Sequence, residues 1–405
     1  MSGRLLRLVC TAAITAGAVL VPVWGPTPVL VRASAQAAPD PQDSPSPVTE
    51  RPVAELLTDL QRLYREAEKA TETYNATEER LERQRAEVAK LNGRLTAARL
   101  ALRGSRGAAG RLARQQYQGR SEISSYVQLL LARDPQHALD QGHVIRQVSQ
   151  ERAGTMERLA GDERRTGDLA RRARTALDSR LTLAEKQRKD RDVVRERLKD
   201  VEELLASLTE EQLTRVAELE RSGVAKAQEE LVASGALSTP RRPTPEGGEA
   251  LRYAVAQIGK PYEWGAEGPD SYDCSGLTSR AWTDAGRPIP RTSQEQWARL
   301  PRVPLSDLRP GDLVVYFPEA THVAMYLGDG LVVQAPRPGA RIKVSPLAAN
   351  PVLGAVRPDP SGKPLRQYTP PRLPDNARTG SDEGYAPRPE GARPTAPQPP
   401  ATDVR

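Results

Sequence analysis

The sequence predicts an α+β domain of helices packed on an antiparallel sheet, preceded by a long α-helical coiled-coil hairpin. Three observations carry this. Apolar residues repeat every seven positions from Leu60 to Leu102. The second half opens with helical patterns and closes with short β-rich runs, the order expected of an α+β unit. Proline-rich stretches separate the parts. The chain has 405 residues, 36 of them proline, and is 38% hydrophobic but only 4% aromatic. That is too little large apolar surface for one extended core, so a mosaic of helical, linker and compact parts is expected.

Residues 1–38 begin with Arg4 and Arg7, followed by an apolar stretch from Leu8 to Val23 and small residues at Ala33-Ser34-Ala35. This is the pattern of a secretory signal peptide, and Pro22, Pro26 and Pro28 argue against a permanent membrane helix. Residues 39–48 read as a linker. From 49 to 235 the chain is charged and poor in proline. One column reads Leu60, Ala67, Tyr74, Leu81, Val88, Leu95, Leu102, and its companion Leu63, Ala70, Thr77, Gln84, Leu91, Ala98. A sustained seven-residue repeat implies a left-handed coiled coil. Gly104, Gly107 and Gly110 loosen it, Asp134-Pro135 marks a break, and a second helical run spans 137–232. The Arg and Glu residues read as the solvated faces of these helices. His137 and His143, with no cysteine nearby, read as surface or capping residues.

Residues 236–246 form a Pro-rich linker carrying Arg241-Arg242. A helix is expected over 248–258, with Ala250, Leu251, Ala254, Val255 and Ile258 inward. Another starts at Cys274, and a short one covers Ser293–Leu300. Strands are expected near 312–317, 321–327, 331–335, 340–344 and 352–357. Residues 359–405, rich in proline and charge, read as a disordered tail.

The chain holds two cysteines and three histidines. With Cys10 in the leader, Cys274 is left without a disulfide partner, in Asp273-Cys274-Ser275-Gly276 at the start of a helix. Helix N-termini stabilise thiolates; the alternative is a buried structural cysteine. His322 is the histidine in the same half, on a predicted strand, and Gln334 lies in the next one. A cysteine peptidase needs an imidazole to take the thiol proton and a polar group to orient that imidazole. Tyr262 is a candidate for holding the oxyanion, or else simply packs. Asp273 and Ser275 are candidates for binding polar substrate groups, or else for capping the helix.

Residues 247–358 resemble the NlpC/P60 peptidase domain of bacterial cell-wall hydrolases. The likeness rests on ordered blocks: Gly259-Lys260-Pro261-Tyr262, Trp264-Gly265, Asp273-Cys274-Ser275-Gly276-Leu277, Pro290-Arg291-Thr292-Ser293 with Gln296, Leu308-Arg309-Pro310-Gly311-Asp312-Leu313, and His322-Val323 ahead of Tyr326-Leu327-Gly328. The resemblance implies a papain-like fold, with Cys274 as nucleophile, His322 as base and Gln334 in a third position that is most often His. It implies peptidoglycan stem peptides as substrate, cut between D-glutamate and the following diamino acid. No metal or cofactor is needed for such chemistry, and no ligand cluster is visible.

The net charge of +7 suits an anionic surface such as a cell wall, and no nucleic-acid-binding motif appears. The expected location is therefore extracellular and wall-associated. The helical region also resembles, in architecture, the coiled coils of secreted division hydrolases that dock on a membrane partner. A tethered helical module can instead cover the Cys274 cleft. Ile123, Tyr126, Val127 and Leu130 are the residues expected to do so, unless they close the hairpin's own core. A non-catalytic wall-binding scaffold and an amidase or acyltransferase on the same fold are the competing functions.

Overall fold

The structure is a computed structural model. It describes residues 51–118, 127, 135–237 and 241–378. The leader, the first linker, Ile123, Tyr126, Leu130 and the chain beyond Arg378 lie outside the described residues; Val127 is exposed.

Helix α1 (Val53–Gln118) and helix α2 (Pro135–Ser207) run antiparallel. The cross-contacts fix the direction: Thr77 bonds Asp190, Gln84 bonds the carbonyl of Ala176, and Ser105 bonds Asp162. Leu60, Ala67, Leu81, Val88, Leu95 and Leu102 are buried, as their spacing requires. Thr77 and Gln84 interrupt the apolar column, and both spend their polar groups on α2. The helix continues through Gly104, Gly107 and Gly110. Pro135 occupies the first position of α2, where its missing N–H costs no hydrogen bond. The second helical run is not continuous. It stops at Ser207 and restarts as α3 (Glu210–Ala233), where Thr209 and Gln212 form a capping box. Among the described residues, no helix is long and apolar enough to cross a membrane.

The second half contains α4 (Pro245–Ala256), α5 (Cys274–Asp284) and α6 (Ser293–Arg299). The strands are β1 (Arg302–Val303), β2 (Leu313–Tyr316), β3 (His322–Gly328), β4 (Leu331–Gln334), β5 (Lys343–Pro346) and β6 (Val352–Val356). They form one antiparallel sheet in the order β1-β6-β2-β3-β4-β5. Alternate residues feed two cores. Leu313, Val315, Val323, Met325 and Val333 face α4 and α5. Val314, Tyr316, Ala324, Tyr326 and Val332 pack with Leu347 and with Leu231 of α3. Both faces are covered, which is why β2 and β3 read as nearly unbroken apolar runs.

Two expected boundaries move. The first turn of α4 takes in Pro245, because the Thr244 side chain accepts from Gly247 N and caps it. Residues 359–378, expected as the start of a disordered tail, lie against the domain. Asp359 is buried in an ion pair with Arg309 at 2.7 Å, Leu365 N bonds the carbonyl of Pro243, and Val344 N bonds the carbonyl of Ala377.

Candidate active site

Cys274 is the first residue of α5, and Asp273 is its N-cap, accepting from Gly276 N at 2.6 Å. Glycine is required two residues after the cysteine. A Cβ on Gly276 would lie 2.2 Å from the carbonyl oxygen of Ala266, so the loop can close on the helix only over a bare Cα. The Asp273 carboxylate also accepts from Gly265 N at 2.9 Å and pairs with Arg291 at 2.8 Å. Arg291 further bonds Ser275 Oγ at 2.9 Å and Glu267 at 2.6 Å. Asp273 thus takes the capping role, and its oxygens are engaged by protein donors.

Across from α5, β3 begins with His322. The backbone amide of Val323 bonds the Cys274 sulfur, which places His322 one residue away from it. His322 Nε2 lies 2.7 Å from Gln334 Oε1, and Gln334 Nε2 donates to Ser345 Oγ at 2.7 Å. An amide oxygen only accepts, so Nε2 carries the imidazole proton and Nδ1 is left with its lone pair. Tyr316 shelves the ring, its centroid 5.6 Å away. The Tyr262 ring is buried at the same site, and its hydroxyl is pushed well above its ordinary pKa, first by burial and then by Cys274 and Asp273.

The site is not open. Helix α1 lies across it and presents Glu68, Glu72 and Asn75 along one face, at the i, i+4 and i+3 spacing that aligns side chains. Glu72 Oε1 accepts from Ser275 Oγ at 2.7 Å and lies 3.9 Å from Cys274 Sγ, while Oε2 accepts from Ser293 N at 2.8 Å. Glu68 Oε1 stands 3.4 Å from His322 Nδ1. Asn75 Nδ2 donates to Asp273 Oδ2 at 3.0 Å. Tyr74, one residue earlier, meets Trp264 edge-on at 5.1 Å. Cys274 is 2% exposed and His322 0% exposed.

Protonation follows from this burial. Desolvation drives the Glu68 carboxyl well above its usual range, with the Glu72 charge adding to the effect. Desolvation, with Asp273 next, pushes Glu72 up to about 7 despite Arg291. His322 is lowered to about 4 by burial, the Gln334 bond opposing. Glu68 and His322 therefore meet as neutral groups, not as an ion pair. The Cys274 thiol is raised well above its ordinary value, first by burial and then by Glu72, Asp273 and Glu68. This corrects the expectation that the helix N-terminus would favour a thiolate. In the covered site, desolvation first and then the Glu72 and Asp273 carboxyls outweigh the dipole.

The structure brings Cys274, His322, Gln334, Tyr262, Asp273 and Ser275 together. It adds Arg291, Ser293 and Ser345, which sequence reasoning left without a role. It also overturns the assignment of Glu68 and Glu72 to a solvated helix face: they are 7% and 1% exposed. The available signal was the stripe Tyr64, Glu68, Thr71, Glu72, Asn75, a second helical face beside the heptad column. Among the described residues no cluster is arranged to hold a metal.

The sequence profile of the NlpC/P60 family matches residues 259–354. A probable endopeptidase of Corynebacterium glutamicum is 44% identical over 116 residues, which are 28% of this chain and 56% of that protein. The peptidoglycan endopeptidase RipA of Mycolicibacterium smegmatis is 38% identical over 119 residues, 25% of this chain and 24% of that protein. The solved NlpC/p60 domain of the peptidoglycan hydrolase SagA is 32% identical, covering 27% of this chain and 97% of that one, with a TM-score of 0.26. The chain thus spans about half the length of the corynebacterial relative and less of RipA, and the helical pair falls outside the profile match. Within that span the profile takes in the cysteine, the histidine and the glutamine of the buried site, and residues 259–354 of this chain form a domain of the NlpC/P60 family.

Proposed function

We propose that this chain is a secreted peptidoglycan endopeptidase held latent by its own helix α1. The observation that carries the reading is the pairing of Cys274, His322 and Gln334 beneath Glu68 and Glu72 of α1. In the open form His322 Nδ1 takes the proton of the Cys274 thiol, and the thiolate attacks the carbonyl of a stem-peptide amide. Backbone N–H groups at the start of α5, with Tyr262 beside them, hold the oxyanion. His322 then returns the proton to the leaving amine, and water releases the acyl group from sulfur. The relatives' names support the substrate class, and the family resemblance supports the bond between D-glutamate and the diamino acid. The leader pattern supports export, and the helical pair is the part suited to a membrane partner that would draw α1 away.

Digesting purified wall with a chain opened at Glu68 and Glu72, then identifying new termini by mass spectrometry, tests this. New amine termini within the stem peptide are expected. Termini at the sugar–peptide linkage would indicate an amidase, and no release would indicate a wall-binding role.

The latch carries a pH dependence through Glu72. Its carboxyl titrates near 4.5 in water and about 7 when docked. Below 4.5 it is protonated in both states, and its contribution to docking is complete. That contribution is lost as pH rises through about 7, because the docked acid must then ionise in a dry site. Wall hydrolysis by the parent chain, divided at each pH by that of Glu72→Gln, is expected to climb across this interval. A flat ratio would show that Glu72 does not dock as an acid.

A further inference from the structure

Three neighbouring strands each place one buried polar side chain in a row: His322 on β3, Gln334 on β4 and Ser345 on β5. Gln334 is opposite Lys343 in the register, so Ser345, two residues further, shares its face. On that face Val332 stands directly opposite Ser345, in one apolar cluster with Ala324 and Leu347. A serine among them, 3% exposed, packs no better than alanine would. Its hydroxyl meets Gln334 Nε2 at 2.7 Å.

A glutamine in the third position has a requirement that a carboxylate lacks. Both ends of a carboxylate accept, whereas an amide has one end that accepts and one that donates. Turned over, Gln334 would present NH2 to His322 Nε2. That nitrogen would then need its lone pair free, and the imidazole proton would move to Nδ1. An imidazole protonated at Nδ1 cannot receive the thiol proton from the cysteine side. The orientation of one amide thus decides whether the site has a base.

We propose that Ser345 is a positioning residue, which accepts from Gln334 Nε2 and so keeps the amide oxygen on His322 and the imidazole in its Nε2–H form. Without the hydroxyl, the amide NH2 would lose the acceptor it has on β5, and no bond at that end would fix which end of the amide meets His322. The catalytic consequence rests on the endopeptidase reading; the tautomer itself does not.

The chain holds three histidines, so 15N-histidine labelling gives a ring spectrum simple enough to assign by comparison with His322→Gln. The spectrum is recorded in the full chain carrying Glu68→Arg and Glu72→Arg, where no carboxyl faces Nδ1. With Ser345 present, His322 is expected to be protonated at Nε2 alone. With Ser345→Ala, the Nδ1–H form is expected at a comparable level, and Ser345→Thr should restore the parent pattern. Ser345→Cys, close in volume but a weak acceptor, should shift in the same direction as alanine and covers the case of an alanine variant that does not fold. In the same background Ser345→Ala is expected to lower kcat for soluble wall fragments about tenfold with KM little changed, and Ser345→Thr to recover it. A parent tautomer in folded Ser345→Ala and Ser345→Cys overturns the proposal whatever hydrolysis shows. A shifted tautomer with no hydrolysis even when Ser345 is present upholds it and counts against the endopeptidase reading alone.

Discussion

Glu68→Arg combined with Glu72→Arg is expected to raise wall hydrolysis by the full chain on the order of a hundredfold. In the closed form these two carboxyls are docked as neutral acids or nearly so, against a neutral imidazole, a thiol, Ser275 and the Ser293 amide. Two guanidiniums cannot shed their charge by titration, as the carboxyls can. They would enter a site whose one buried cation, Arg291, already occupies Asp273. Undocking is then the lower-energy state. The helical pair should survive, because its apolar column, Leu60, Ala67, Leu81 and Val88, is untouched. Far-ultraviolet circular dichroism checks that, and release of soluble peptides from purified wall measures the gain. Equal rates for the parent and the substituted chain, with the helices intact, would remove α1 as an inhibitor.

In that opened chain, Cys274→Ala is expected to abolish hydrolysis, a loss on the order of ten-thousandfold or more. Among the described residues, no other nucleophile is placed to substitute. Ser275 Oγ points to Glu72 and Arg291 in the closed form, and Ser293 Oγ donates to the carbonyl of Ala320. The fold should be unaffected, because helix α5 is held by the Asp273 cap and the bare Cα of Gly276, not by the sulfur. Peptide release by Cys274→Ala at the rate of the opened parent would eliminate the thiol mechanism.

The compact half was legible because its signals are local. Thr244-Pro245 and Asp273 are helix starts with identifiable caps. Strands β2, β3 and β4 are apolar and β-branched, and Cys274 and His322 are rare residue types in this chain. Gln334 stood out as the polar residue of β4. What escaped was non-local. Glu68 and Glu72 lie about two hundred positions from Cys274, and a helix face looks the same whether water or a folded domain covers it. Periodicity described the column that α1 turns to α2, while the stripe turned to the active site is polar and blended with the charged surface. The covering element was therefore sought at Ile123–Leu130, where apolar residues cluster, although Glu68, Glu72 and Asn75 fill the cleft with polar groups. Ser345 escaped for a related reason: its role exists only through strand register.

That α1 buries Cys274 is tested by alkylation of this residue in the folded full chain. Iodoacetamide is added near neutral pH, and modification is counted on the Cys274 peptide by mass spectrometry, which separates it from Cys10. With Cys274 at 2% exposure beneath Glu72, the parent is expected to react about a hundredfold more slowly than the chain carrying Glu68→Arg and Glu72→Arg. Equal and rapid modification of both would show that the thiol is accessible with α1 in place, and that α1 does not cover it.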